Sequence, residues 1–358
     1  MTLKNYFRLL AEDKTYATRE SWLWRPTLKI ASVGYGFGSA LLRACYRLNL
    51  LKRYQFDLPV VSVGNITWGG TGKTPMVEYL TRLFLDSGKV PLILARGYGN
   101  DESREMVRKL PEAQFGFGKD RFRSGRKALS EHKADVVILD DGFQHWPMKR
   151  DLDIVVVNAL NPFGNGSLIP RGILREPGTH LNRADVVVLN DVNLVGRKEV
   201  ESLKERILGV SPKAEVVEAF HEPLYFYRPD SGHRVYLERM QGTRITSFSG
   251  IGTPRSFQML LTKLGLRIVR NFEFSDHHPY TEAELKEICE MKQLSDSQEI
   301  VTTEKDYYRS ENLMKNVVKP LVLKVHLRFT SGEANLRNRL NQFIQNGSQA
   351  VPVGVSNG

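Results

Sequence analysis

One stretch constrains this chain more than any other. Val60 to Thr74 reads VVSVGNITWGGTGKT, an apolar β-branched run, then a glycine-rich turn, with a helical pattern beginning near Pro75. Gly69, Gly70 and Gly72 let the backbone turn so that several N–H groups face one anion, and the helix N-terminus adds partial positive charge. A strand running into such a turn and then a helix is a nucleotide phosphate loop. The expected nucleotide-binding residues are Thr67, Trp68, Gly69, Gly70, Thr71, Gly72, Lys73 and Thr74. Lys73 would reach the β and γ phosphates, while the Thr74 hydroxyl would ligate Mg²⁺. The loop departs from the usual GxxxxGK[ST] pattern at its first glycine, where Thr67 stands.

A phosphate loop needs an acidic group at the end of a neighbouring strand to hold the metal. Val136 to Leu139 followed by Asp140 and Asp141 supplies it, at the carboxyl edge where open α/β sheets bind ligands. The same pattern of buried β-branched runs recurs at Val60 to Val63, Pro91 to Ala95, Ile154 to Val157 and Val186 to Leu189, with helical stretches between several of them. The fold predicted is α/β, a doubly wound parallel sheet of the phosphate-loop NTPase type. A change of texture over 221–243, with a turn at Asp230 to Gly232, reads as a hairpin linker between two domains. A kinase-like domain over 58–220 would precede it. A second, smaller α/β domain over 244–345 and a disordered tail over 346–358 would follow.

Composition excludes other classes. With 41% hydrophobic and 25% charged residues over 358 positions, the chain is neither disordered nor fibrous, and its length suits two domains. Two cysteines, Cys45 and Cys289, are too few for a disulfide scaffold. The net charge of +11 is uneven: residues 1–58 hold ten Lys or Arg against four Asp or Glu. Between these charges lie Trp22, Trp24, Tyr35, Phe37, Leu41 and Leu42, a mixture suited to an interfacial amphipathic segment over 1–57 on an anionic membrane surface. The uncharged run from Ile30 to Leu42 is too short to cross a bilayer, which takes about 20 apolar residues. A helix packed on the protein's own core is the other reading of this run.

Beyond the acid pair come Gly142, Phe143, Gln144 and His145, and beyond the next strand the run GSLIPRGILREP from Gly166 to Pro177. Arg171 and Arg175 in that loop could clamp a phosphate; solvated loop charges are the alternative. The phrases VGNITWGGTGKTP, ARGYG, DRFRSGRKAL, ILDDGFQHWPMKRDLDIVVV, GNGSLIPRGILREP, FSGIGTPRSF, FSDHHPYT and VTTEKDYYR together resemble the tetraacyldisaccharide 4′-kinases of lipid A biosynthesis, over about residues 22–330. DDGFQH and the RGILREP stretch are specific to that family. The resemblance implies a two-domain kinase, contacting the membrane through its N-terminal helix. It would transfer the γ-phosphate of ATP to the 4′-hydroxyl of a tetraacyldisaccharide 1-phosphate. It also accounts for Thr67, because the family lacks that glycine.

The resemblance further implies a general base, an Asp in a Gly-Asp-Glu stretch aided by a His in an Asp-His-His stretch. Here Asn100, Asp101 and Glu102 stand in the first, and Ser275, Asp276, His277 and His278 in the second. Asp101, His277 and Lys73 are thus the catalytic candidates, with His278 as the fallback. Thr74, Asp140 and Asp141 are the metal candidates. Asn65, Gln144, His145, Arg171, Arg175 and Glu176 are those for the substrate. ATP and Mg²⁺ are the cofactors expected, and a lipid-linked disaccharide and an anionic membrane the partners, at the cytoplasmic face of a bacterial inner membrane; no nucleic acid or obligate protein partner is expected. A partitioning-type ATPase, the alternative of another class, would carry a signature Lys where Trp68 stands, and a GTPase would need an Asn-Lys-x-Asp motif that the chain lacks.

Overall fold

A computed structural model describes residues 19–97 and 101–349, with side chains over 24–97 and 105–345. A single sheet of 12 strands runs through the described residues in the order β10-β9-β11-β12-β7-β6-β5-β1-β4-β2-β3, with β8 paired to β7. Its first half comprises β1 (Val60–Gly64), β2 (Pro91–Ala95), β3 (Gln114–Phe117), β4 (Val136–Asp140), β5 (Leu152–Asn158) and β6 (Val186–Asn190), all in parallel pairing. Every residue of β1, β2 and β6 is buried, because helices cover both faces. The strands expected from continuous β-branched runs are all present. The short β3, with the sequence Gln-Phe-Gly-Phe, is not among them.

Helix α1 (Arg19–Arg47) precedes the sheet, and α2 (Lys73–Asp86) springs from the phosphate loop. Met76, Leu80 and Phe84 recur every four residues along α2 and are fully buried against Val61 and Val63. Burial of each such side chain stabilises by about 1.5–3 kcal/mol, which fixes the loop to the sheet. Helix α3 (Asp101–Lys109) follows β2, α4 (Arg121–Glu131) follows β3, and α5 (Arg197–Val210) follows β6.

The second half holds β9 (Arg244–Ser249), α6 (Pro254–Lys263), β10 (Arg267–Glu273), α7 (Glu282–Leu294), β11 (Glu299–Thr303), the short helix α8 (Glu304–Arg309) and β12 (Leu321–Ser331). The halves are joined by more than a linker. The 13-residue strand β7 (Glu215–Tyr227) pairs parallel with β6 at its start and antiparallel with β12 along the rest. The hairpin is formed by β7 with β8 (Arg234–Val235), so its first strand already belongs to the sheet from Glu215 rather than starting at 221. Helix α9 (Glu333–Gln349) then returns to the first half, burying Leu336, Leu340 and Ile344 in the core that contains Val186 and Val217. Against the expected division at 244–345, the last helix packs on the first half, and it continues to Gln349; the rest of the tail expected over 346–358 lies outside the described residues.

Candidate functional site

A cavity of about 680 Å³ lies at the carboxyl edge of the sheet, between the halves. The phosphate loop forms one wall. Gly69 and Gly72 have φ of +113° and +99°, where an L side chain is strained. A Cβ on Gly72 would also lie 2.5 Å from Asn190 Nδ2, which donates to the Thr71 carbonyl at 3.0 Å from beneath. The loop is braced on its other side by the RGILREP segment. Trp68 N–H donates to the Ile173 carbonyl, and Arg175 N–H donates to that of Ile66 at 2.8 Å.

This ladder brings Arg175 into the cavity. Its guanidinium donates to both Asp141 carboxylate oxygens, at 2.8 and 3.0 Å, and Lys73 Nζ stands 3.7 Å from Asp141 Oδ1. Burial pushes the Asp141 carboxyl up, but the charges of Lys73 and Arg175 outweigh it and hold the group below its ordinary value. Asp141 therefore stays anionic at neutral pH. Arg121, which the sequence did not single out, reaches the Asp140 carbonyl at 3.3 Å and also lines the cavity. Asp141, Asp191 and His277 line it with positive φ of 52°, 61° and 59°. Backbone strain of this kind is concentrated at functional sites.

Trp68 to Thr74, Asp140, Asp141, Arg175 and His277 are thus brought together. Others are not. Thr67 is buried and bridged to Leu174, and Asn65 is fully buried, donating to Thr71 Oγ1 at 3.1 Å; both brace the loop instead of lining the cavity. Gln144 donates to the Asn65 carbonyl at 2.7 Å and stands behind Arg175. His145 lies beside Arg121 and Arg150. Burial and these two cations push it down to about 4, so it is neutral. Glu176 is buried, and Arg43, His180 and Arg183 surround its carboxylate. Arg171 N–H donates to Ser32 Oγ of α1 at 2.9 Å, away from the cavity. Asp101 opens α3, but its side chain lies outside the described residues.

The second half supplies the opposite wall. His277 is 46% exposed there, with Asp276 beside it at 3.8 Å. The fallback, His278, turns away to Glu284 at 3.0 Å, inside the Thr281 capping box of α7, and stacks on Phe274. Thr253 donates to the Gly70 carbonyl at 2.9 Å, and a Cβ on Gly252 would lie 1.8 Å from Gly70 N, so the second half rests directly on the phosphate loop. Below the loop, His221 on β7 pairs with Asp191 at 2.7 Å. Gly252 and Thr253 fall in the FSGIGTPRSF phrase, whose glycines were the available signal; Asp191 and His221 carried none.

Two carboxylates and a hydroxyl form the candidate metal set. Among the described residues no group of three or more His, Cys, Asp or Glu could hold a metal ion. An all-oxygen set with few protein ligands nevertheless fits Mg²⁺, which keeps waters and takes phosphate oxygens to complete its octahedron.

Helix α1 lies along the Leu168–His180 stretch. Ser32 donates to the Leu168 carbonyl at 2.7 Å, and Tyr35 to that of Arg175 at 3.0 Å. Arg43 reaches Glu176. Ile30, Val33, Phe37 and Leu41, spaced at three and four, form an exposed stripe in which Phe37 is 73% exposed. No described helix is long and apolar enough to cross a membrane.

The family model for tetraacyldisaccharide-1-P 4′-kinase matches residues 24–116 and 100–345. A tetraacyldisaccharide 4′-kinase of Syntrophus aciditrophicus is 35% identical over 334 residues, covering 84% of this chain and 88% of that protein. A probable mitochondrial tetraacyldisaccharide 4′-kinase of Arabidopsis thaliana is 35% identical over 327 residues, covering 81% and 82%. The crystal structure of "apo" form LpxK from Aquifex aeolicus in complex with ATP superposes with a TM-score of 0.67 at 26% identity, covering 90% of this chain and 99% of that one. On these matches, spread across both halves and the cavity between them, the chain belongs to the tetraacyldisaccharide 4′-kinase family.

Proposed function

We propose that the protein transfers the γ-phosphate of ATP to the 4′-hydroxyl of a tetraacyldisaccharide 1-phosphate, at the cytoplasmic face of a bacterial inner membrane. The observation that carries this reading is the convergence of Lys73 and Arg175 on Asp141 beside the phosphate loop, in a chain of this family. Lys73 neutralises charge on the transferring phosphoryl group, which disperses over its equatorial oxygens in the transition state. Thr74, Asp140 and Asp141 are the residues that would hold Mg²⁺. When bound, the ion supplies charge neutralisation across the β and γ phosphates.

A sugar hydroxyl is a poor nucleophile, and Asp101 is assigned to accept its proton with His277 in support. As the new O–P bond forms, the bond from the γ-phosphorus to the bridging oxygen breaks and ADP leaves. Such a base contributes about 10²–10⁴ in rate. A four-chain lipid leaves a bilayer at about 0.8 kcal/mol per CH₂, so the enzyme meets its acceptor at the surface. The exposed stripe on α1, flanked by Lys and Arg, suits that contact.

The test is transfer of labelled γ-phosphate from ATP to a lipid A disaccharide precursor, with and without Mg²⁺ and with GTP as the competitor donor. Metal-dependent labelling of the acceptor is expected. ATP hydrolysis without acceptor labelling would overturn the reading and favour the partitioning-type ATPase.

A further inference from the structure

We propose that Glu304 and Lys305, consecutive residues at the start of α8, are positioning residues that set the Asp101 helix and the His277 loop over the phosphate loop. The inference rests on the assignment of Asp101 and His277 above, and adds what holds them in register.

Glu304 is 7% exposed and accepts from Lys109 Nζ at 2.9 Å, from Lys324 Nζ at 3.0 Å and from the Tyr227 hydroxyl at 3.0 Å. Lys109 is the last residue of α3, the helix that begins at Asp101. It is also held by Glu105 at 2.6 Å and Glu78 of α2 at 3.7 Å. One partly buried lysine thus ties together α3, α2 and the second half. Burial disfavours the Lys109 charge, but its three carboxylates outweigh this and keep it protonated. Arg108 adds a second tie, to Glu311 at 2.7 Å and over the Tyr308 ring.

Lys305 points to the other candidate group. Its Nζ lies 3.4 Å from Asp276 Oδ1, and the other Asp276 oxygen faces His277. The same turn reaches the phosphate loop through Asp306, which is fully buried. Asp306 Oδ1 accepts from Gly250 N–H at 3.0 Å, from the Tyr280 hydroxyl at 2.9 Å and from Arg309 at 2.9 Å, and Gly250 leads into the Gly252–Thr253 contact with Gly70. Three successive side chains of α8 therefore hold three separate parts of the site.

Buried ion pairs are poor sources of stability, because desolvation cancels most of the attraction. What such a cluster supplies here is position. A misplacement of about 1 Å, caused far from the reacting atoms, costs about 10²-fold in rate.

The experiment is a pair of double-mutant cycles on the full-length enzyme with ATP and lipid acceptor. Glu304→Gln should lower kcat by about 10- to 100-fold with KM for ATP little changed. In an Asp101→Asn background the same change should cost less than about twofold, because its effect acts through Asp101. Lys305→Met should behave likewise against His277→Ala, and Lys305→Arg should restore most of the lost rate. Equal fold-losses in both backgrounds would overturn the proposal, since a merely structural role lowers every rate alike. If Asp101→Asn itself leaves kcat near the unsubstituted value, the base assignment fails instead. Should Glu304→Gln not fold, Lys109→Met tests the same contact from α3.

Discussion

The two walls of the cavity are built by different rules. On the first-half wall, the phosphate loop and the acid pair each follow a strand end, Arg175 comes from the loop between β5 and β6, and their chemistry is that of concentrated positive charge around one carboxylate. On the second-half wall, Gly252, His277 and Glu304 lie on three separate loops or helices, and their contacts are backbone approaches and paired charges. The first wall supplies charge; the second supplies placement. Substitutions on the first should change what the site can stabilise, and those on the second where its parts stand.

The largest expected effect is on the first wall. Lys73→Ala should lower kcat by about 10² or more with melting temperature and acceptor binding nearly intact. Near-normal turnover in a folded Lys73→Ala enzyme would break the comparison at its stronger end. Gly252→Ala should act through placement. Its added methyl meets Gly70 backbone atoms, and overpacking costs about 1–3 kcal/mol unless the two loops part. Titration should show ATP affinity lowered by about tenfold, which corresponds to about 1.4 kcal/mol of that strain. Unchanged ATP affinity would mean that the second half does not set the loop.

The smallest effect concerns the cationic surroundings of the first wall. His145 is pushed from 6.5 to about 4, first by burial and then by Arg121 and Arg150. The folded state thus refuses a proton that the unfolded chain takes up near pH 6.5, so His145 favours folding fully above that pH and progressively less as pH falls toward 4. His145→Gln should make the decline in melting temperature over this range shallower. An identical pH profile would show that the imidazole titrates alike in the folded and unfolded states.

The first wall was legible because its function is written in backbone geometry that neighbouring residues determine. Gly69, Gly70 and Gly72 followed by Lys73 after an apolar run leave little choice of structure, and so does an acid pair closing Val136 to Leu139. Orientation was not legible in the same way. Asn65 and Glu176 are polar residues in loops beside the site, yet one braces the phosphate loop and the other is enclosed by Arg43, His180 and Arg183. Nothing local distinguishes a side chain facing a ligand from one facing its own scaffold. His277 and His278 are neighbours of one residue type, yet the first lines the cavity while Glu284 of the α7 capping box engages the second. The texture over 221–243 reads as a hairpin linker, but the strand it enters begins at Glu215 and passes from a parallel to an antiparallel neighbour, a pairing that no local pattern encodes. The glycine at 252 gained meaning only through a contact 182 positions away in sequence, with Gly70.

Helix α1 has a consequence for how the enzyme would count its substrate. One edge of the helix is hydrogen-bonded to the stretch that contains Arg175, and another presents Ile30, Val33, Phe37 and Leu41 to the surroundings. If that stripe rests on a bilayer, as proposed above, encounter takes place in two dimensions. The relevant concentration is then the mole fraction of acceptor among surface lipids, not its amount per litre. Velocity should fall when inert detergent or phospholipid is added at constant total acceptor, and should hold steady when acceptor and diluent rise in proportion with enzyme limiting. ATP, which arrives from solution, would follow ordinary bulk saturation, so one cavity would obey two different concentration scales.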